Sequence, residues 1–307
     1  MVGQRALITG ANSGLGLEAA LVLARQGASV ALACRSSSKC TAAAAAVRRV
    51  ARPGAAVTTW VLNTSSLASV RAFAARFLAE GGSLEMLLLN AGIASAGAWA
   101  PGEATLPLSE DGIEAVLATN HVGGALLYEL LLPLLKAART SRVVLTSSAS
   151  SFDTYSYGVA LDLETLNAPP ERGVTSTLNP YGQSKLAQII WAQEAARRLE
   201  EEGVDNIFVN AMHPGSVDTG IWGANPILPS FLKRTLFAYL QREVMWTVKD
   251  GALTLLYLAM AEADLRKKNV KGQYWHPQCV RVEPHPAAAN LTLQLAFWDF
   301  THQLTRL

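Results

Sequence analysis

The chain has 307 residues, 50 % of them hydrophobic and 16 % charged, with a formal net charge of +2; these values describe a globular protein with a sizeable core and exclude a disordered or fibrous one. The basic runs Lys233-Arg234 and Arg266-Lys267-Lys268 are too short for a nucleic-acid stripe. Three cysteines, Cys34, Cys40 and Cys279, are too few and too scattered for a disulfide framework or a zinc site, so a reducing compartment and no metal are expected.

No secretory leader is visible before Arg5-Ala6-Leu7-Ile8-Thr9. The longest apolar region, Gly123 to Leu135, is interrupted by Tyr128, Glu129 and Pro133 and reads as too short for a membrane span. Thr305-Arg306-Leu307 loosely matches a peroxisomal address, a three-residue pattern that chance supplies easily. The expected location is cytoplasmic.

Ala6 to Thr9 reads as a short buried strand, followed by Gly10-Ala11-Asn12-Ser13-Gly14-Leu15-Gly16 and a helical pattern that Gly27 stops. Strand, glycine-rich turn and helix in that order form a phosphate cradle. The glycines admit the backbone close to a pyrophosphate, and the helix N-terminus offers free N–H groups. The second strand, Ser29 to Ala33, ends in Cys34-Arg35-Ser36-Ser37-Ser38-Lys39 with no carboxylate to hold two ribose hydroxyls. Arg35, with serine hydroxyls and Lys39 nearby, suits a 2′-phosphate, so NADP(H) is the expected dinucleotide.

Strand and helix continue to alternate. Helices are expected over 42–50 and 66–79, and strands over 57–62 and 84–89, the latter ending in Asn90-Ala91-Gly92. Residues 93–112, with Pro101 and Pro107, form a long loop. A helix is expected from Asp111 to Ala138 with Asn120-His121 inside it, then a strand over 142–145 leading into the hydroxyl-rich run Thr146 to Ser151. Hydroxyls at the carboxyl end of a parallel strand lie where open α/β sheets bind ligands.

Asn179-Pro180 reads as an N-cap and first helical residue, opening a helix to about Glu202. Tyr181 and Lys185, four apart, then share one helix face. A cation beside a phenol lowers its pKa toward useful acid–base work, but two residues alone do not separate that role from a surface tyrosine beside a solvated lysine. A sixth strand, 206–211, precedes His213 to Thr219, and Gly272 to Trp275 reads as a last strand. Between them, residues 221–246 are rich in large apolar groups and read either as cover for a hydrophobic pocket or as a core-packing hairpin.

These pieces resemble the short-chain dehydrogenase/reductase family, in its retinol dehydrogenase-like branch, over residues 4 to 275. The motifs that carry the resemblance are Thr9-Gly10-Ala11-Asn12-Ser13-Gly14-Leu15-Gly16, Asn90-Ala91-Gly92, Asn120-His121-Val122-Gly123, Ser147-Ser148, Tyr181 to Lys185 and His213 to Thr219. The resemblance implies one doubly wound Rossmann-type domain over 1–307, with a mostly parallel seven-stranded sheet, a substrate-covering segment at 221–246 and a C-terminal extension after 276. It also implies hydride transfer between NADP(H) and a small hydrophobic carbonyl or alcohol. Tyr181 is then the acid–base group, Lys185 lowers its pKa, Ser148 holds the substrate oxygen and Asn120 holds a water leading from Lys185. Cofactor contacts are expected from Gly10, Asn12, Ser13, Gly14, Leu15, Gly16, Arg35, Asn63, Asn90, Ala91, Gly92, Tyr181, Lys185, Pro214, Gly215, Val217 and Thr219.

Asn63 stands where the family commonly has an aspartate against the adenine. Residues 152–178 lengthen the path from Ser148 to Tyr181 and should help select substrate. Rival readings are a carbon–carbon double-bond reductase resembling light-dependent protochlorophyllide reductase, and a non-catalytic NADP-binding regulatory protein. Oligomerisation, substrate, stereochemistry and direction are open at this level.

Overall fold

The alternation of short apolar runs with amphipathic helices produces one sheet clad on both faces. The structure, a computed structural model, describes residues 1–95, 106–169, 178–217 and 245–306. In chain order its elements are β1 (Arg5–Thr9), α1 (Gly14–Arg25), β2 (Ser29–Cys34), α2 (Ser37–Val50), β3 (Val57–Val61), α3 (Leu67–Ala79) and β4 (Met86–Leu89). Then come α4 (Ala115–Leu117), a π-turn (Ala118–Val122), α5 (Gly123–Ala137), β5 (Ser141–Thr146), α6 (Leu163–Asn167), α7 (Asn179–Glu201) and β6 (Ile207–Met212). The described chain ends with α8 (Val248–Met260), α9 (Glu262–Lys268), β7 (Tyr274–His276), β8 (Val280–Val282) and α10 (Leu291–Thr305).

The strand order is β3-β2-β1-β4-β5-β6-β7-β8, parallel throughout except for the antiparallel β7–β8 pair. The sheet thus has eight strands, one more than expected. The order reverses between β1 and β4, which opens a crevice above their carboxyl ends.

Side chains alternate across the sheet. Leu7, Leu87 and Leu89 face a core shared with α3, α5, α7 and α10, whereas Ala6, Ile8, Met86 and Leu88 face one shared with α1, α2 and α8. Burying each such leucine or isoleucine stabilises the fold by roughly 1.5–3 kcal/mol.

Three local expectations are corrected. The helix expected from Asp111 starts at Ala115, because Glu114 supplies the cap, its two carboxylate oxygens each accepting an amide, from Val116 and Leu117, at 2.7 Å. Asp111 instead accepts from the amide of Leu67 at 2.9 Å. Asn179 does not cap α7; its amide nitrogen donates to the carbonyls of Asp153 (3.2 Å) and Thr154 (2.9 Å), which ties the helix start to the preceding loop. Third, Ala115–Ala137 runs continuously for 23 residues, long and apolar enough to cross a membrane by length and composition. Length therefore excludes nothing, although 78 % of its most apolar window is buried inside the fold.

Candidate active site

The glycine turn sits at the mouth of the crevice. Gly10 and Gly14 take φ of +66° and +53°, which glycine reaches without steric cost. A Cβ on Gly16 would lie 2.6 Å from the side-chain nitrogen of Asn90 and 2.7 Å from the carbonyl of Gly10, so only a bare backbone fits between the two loops. Thr9 locks the second loop to the first, its hydroxyl accepting from the amides of Asn90 (2.9 Å) and Ala91 (3.0 Å). Asn90 returns a bond from its side chain to the carbonyl of Thr9 at 3.0 Å. Ser13 takes the N-cap position of α1 without using its side chain, and the first turn carries no acidic residue, so no side chain claims those first amides. Leu15 is buried, its side chain belonging to the core.

At the end of β2, Arg35 and Lys39 are exposed, and among the described residues no carboxylate forms an ion pair with either. Ser36 caps α2 by accepting from the amide of Lys39 at 3.4 Å. Cys34 and Cys40, six residues apart with Cα atoms 5.7 Å apart, are joined as a disulfide across this turn. That corrects the reading of the cysteines as too scattered to pair: the strand end and the first turn of α2 fold back on each other. It also removes the ground for inferring a reducing compartment. Asn63 turns its side-chain oxygen inward, accepting from the Ser65 amide (3.3 Å) and hydroxyl (2.9 Å).

Asn120 comes from the π-turn, Ser148 from the turn after β5, and Tyr181 and Lys185 from α7; Asn120 and Lys185 meet beside Gly92. A Cβ on Gly92 would stand 3.3 Å from Oδ1 of Asn120 and 3.5 Å from Nζ of Lys185. Lys185 is almost wholly buried. Its Nζ donates to the carbonyl of Thr146 at 2.7 Å and to Oε1 of Gln188 at 3.2 Å, and lies 5.4 Å from the centroid of the Tyr181 ring. Burial alone pushes its pKa down from 10.5 to about 7.

Burial likewise raises the pKa of the Tyr181 phenol, opposed by a hydrogen bond from the Ser148 hydroxyl. The expected lowering of this pKa by Lys185 is therefore not found: desolvation dominates, and the ammonium's bonds point to neutral acceptors.

Asn120 is fully engaged. Oδ1 accepts from the Ile93 amide at 2.8 Å, and Nδ2 donates to the Ile93 carbonyl and to Oγ of Ser184, both at 2.9 Å. Its own carbonyl accepts from Nε2 of Gln188 at 2.7 Å. The sequence reading passed over four supporting residues. Ser184 donates to the carbonyl of Tyr181 at 2.7 Å, Ser147 to that of Lys185 at 2.7 Å, and the Tyr274 phenol to that of Ser148 at 3.1 Å. Gln188 is the fourth. Of these Ser147 and Ser184 stood inside motifs, without a role of their own. A π-turn at Asn120 is itself a signal of function, legible only from the backbone.

The opposite wall begins after β6. His213 accepts at Nδ1 from the amide of Gly215 at 2.9 Å, and Gly215 holds φ at +85° against the Trp246 ring. Pro214 lines this bend. Val217 is buried and bridges to Trp246. Burial and the neighbouring His276 push the His213 pKa down to about 4. Thr219, the segment 221–244 and residues 170–177 lie outside the described residues. Among the described residues no group of three His, Cys, Asp or Glu side chains gathers.

A doubly wound parallel sheet with a glycine turn at its switch point and a Tyr–Lys helix packed beside β5 and β6 is the architecture of a nucleotide-binding oxidoreductase of Rossmann type. A family profile described as short chain dehydrogenase matches residues 4–160, and the chain belongs to the short-chain dehydrogenase/reductase family. It is 37 % identical to "Short-chain dehydrogenase TIC 32 A, chloroplastic" of Brassica napus over 97 % of this chain and 88 % of that protein. Human "Retinol dehydrogenase 14" is 35 % identical, with 100 % and 88 % covered. Among solved structures, an NADP complex of a short chain dehydrogenase from Burkholderia cenocepacia J2315 superposes with a TM-score of 0.64 at 25 % identity, covering 90 % of this chain and 96 % of that one.

Proposed function

We propose that this protein transfers hydride reversibly between NADP(H) and a hydrophobic carbonyl or alcohol. The observation that carries the reading is Lys185 Nζ at 5.4 Å from the centroid of the Tyr181 ring and next to Gly92 in the loop after β4, with Ser148 acting on the same phenol. What supports a dinucleotide in the crevice above β1 and β4 is the glycine turn at positive φ and the α1 amides that no side chain caps, a donor set suited to phosphates. When bound, NADP(H) gives or takes the hydride. Asn12, Ser13 and Gly14 would face its phosphates, and Arg35 the 2′-phosphate. Asn63, with its oxygen committed, has its amide nitrogen for the adenine.

In the reducing direction Tyr181 holds its proton at Oη and passes it to the carbonyl oxygen. Its raised pKa keeps that proton in place at neutral pH. Ser148 orients the same oxygen and stabilises developing negative charge. Lys185 steadies the phenolate once the proton has left. The likeness to human retinol dehydrogenase 14, together with the apolar composition of 221–246, supports a bulky hydrophobic substrate such as a retinoid, a steroid or a lipid aldehyde.

The test follows NADPH and NADH absorbance against a panel of hydrophobic aldehydes, ketones and alcohols. Tyr181→Phe should lower kcat by two to four orders of magnitude, about 3–5 kcal/mol of barrier, with folding unchanged by circular dichroism. Wild-type turnover in that variant sinks the reading.

A further inference from the structure

Gln188 lies one turn beyond Lys185 on α7 and is 1 % exposed. Residues three apart share a helix face, so the side chain follows the lysine into the site. Its two ends do different things. Oε1 is 3.2 Å from Nζ of Lys185, and Nε2 donates to the carbonyl of Asn120 at 2.7 Å. The reverse orientation of the amide would aim N–H groups at an ammonium and oxygen at a carbonyl, so the surroundings fix it.

We propose that Gln188 is a positioning residue for the reaction, a neutral side-chain bridge that fastens Lys185 to the backbone of Asn120 and holds the ammonium beside Tyr181. The proposal rests on the hydride-transfer reading above. The bridge takes one of the two lone pairs of the Asn120 carbonyl.

Three features give the bridge its effect. An ammonium has three donors; Thr146 and Gln188 take two, and the third is left on the side of Gly92 and the Tyr181 ring. Both acceptors are uncharged, so neither cancels the charge that Lys185 presents to the phenol. The groups packed around Nζ are the Thr146 carbonyl from β5, Asn120 from the π-turn, Gly92 from the loop after β4, and Tyr181 and Gln188 from α7. Tyr181 is the titratable one among them, with Ser148 and Tyr274 behind it. Among the described residues no carboxylate acts on Lys185, whose shift toward neutrality comes from burial alone. A side chain that orients the lysine without neutralising it is what this environment requires.

The experiment compares pH–rate profiles of alcohol oxidation for the wild type, Gln188→Glu, Gln188→Met and Tyr181→Phe. Gln188→Glu keeps the volume but sets a carboxylate against Lys185, and should move the ascending limb of kcat alkaline by about one unit or more. Gln188→Met removes both bonds and should lower kcat roughly tenfold with the substrate KM little changed. A Gln188→Glu profile that superposes on the wild type, or a KM effect without a kcat effect in Gln188→Met, overturns the proposal.

Should the variants fail to fold, wild-type protein labelled with 15N-glutamine serves. One side-chain amide should titrate with the kinetic limb and stop doing so in Lys185→Met; no titrating amide overturns the bridge. Retained turnover in Tyr181→Phe overturns both this and the functional reading. Lost turnover there with an unmoved Gln188→Glu profile overturns the bridge alone.

Discussion

At the scale of single residues, charge and hydrogen-bond direction decide more than size. Arg35 is exposed, and what we propose it gives a 2′-phosphate is a pair of charge-assisted bonds. Arg35→Asp should weaken NADPH binding by roughly 10–100-fold, about 1.4–2.8 kcal/mol, and leave NADH binding within a few-fold. Fluorescence titration with the two cofactors reads this directly, and equal losses for both would refute the assignment. Tyr181 and Lys185 were legible because their relation is local, a spacing of four in one helix. Gln188 and Tyr274 were not, because the groups that give them meaning lie 68 and 126 residues away. A glutamine in a helical pattern looks like any other until its partners are in place. The pKa of Tyr181 misled for a related reason: the spacing shows the nearby cation, whereas the desolvation that outweighs it is a property of the packed interior.

Among elements, the strands and long helices were readable from apolar runs and their period, to within a few residues. What was missed are features too short or too unusual to leave a pattern. β8 has three residues, of which Val280 and Arg281 are exposed, so no alternation marks it. The start of α4 depends on Glu114, which is outside the usual set of capping residues and whose burial raises its pKa to about 7.

The contact between α7 and the turn Ala149–Phe152 was also invisible beforehand, and it fixes the relative position of Ser148 and Tyr181. A Cβ on Gly182 would meet the carbonyls of Asp153 at 2.5 Å and Ser150 at 2.6 Å. These are backbone atoms, which cannot swing aside. Gly182→Ala should therefore cost about 1–3 kcal/mol of stability and separate the serine turn from the tyrosine. Denaturant midpoints together with kcat test this; an unchanged midpoint with full activity would show that the turn moves freely.

For the molecule as a whole, buried titratable groups set how stability follows pH. Burial pushes the pKa of His121 down to about 3 and, with help from His276, that of His213 down to about 4. Between those values and 6.5 the unfolded chain binds protons that the folded one does not, so each histidine makes stability fall as the pH falls, by about 1.4 kcal/mol per unit. Glu114 acts oppositely between 4.5 and 7, where the folded chain keeps a proton that the unfolded one has released. Glu129, also raised by burial, acts with Glu114, while His276 and His285, both lowered by burial, act with the two histidines and leave the histidines in the majority. Stability should decline from pH 6.5 toward 4, and His121→Gln should flatten the slope by close to one proton. Equilibrium unfolding at several pH values reads both, and an unchanged slope in the variant would place the acid sensitivity elsewhere.

His121 follows Asn120 in the π-turn, and Nε2 of its ring is 3.1 Å from the hydroxyl of Thr301 in α10. Phe297 packs on the same ring, and Trp298 stacks on Trp191 of α7. The outer face of the helices that carry Asn120, Tyr181 and Lys185 is thus roofed by a segment made 180 residues after His121. During synthesis Asn120, Ser148, Tyr181 and Lys185 emerge well before that roof does, by on the order of ten seconds at ordinary elongation rates. In that interval the nascent chain carries an apolar face built around Trp191 and Tyr128, which makes this stage of its life the one most open to chaperones and to misassociation.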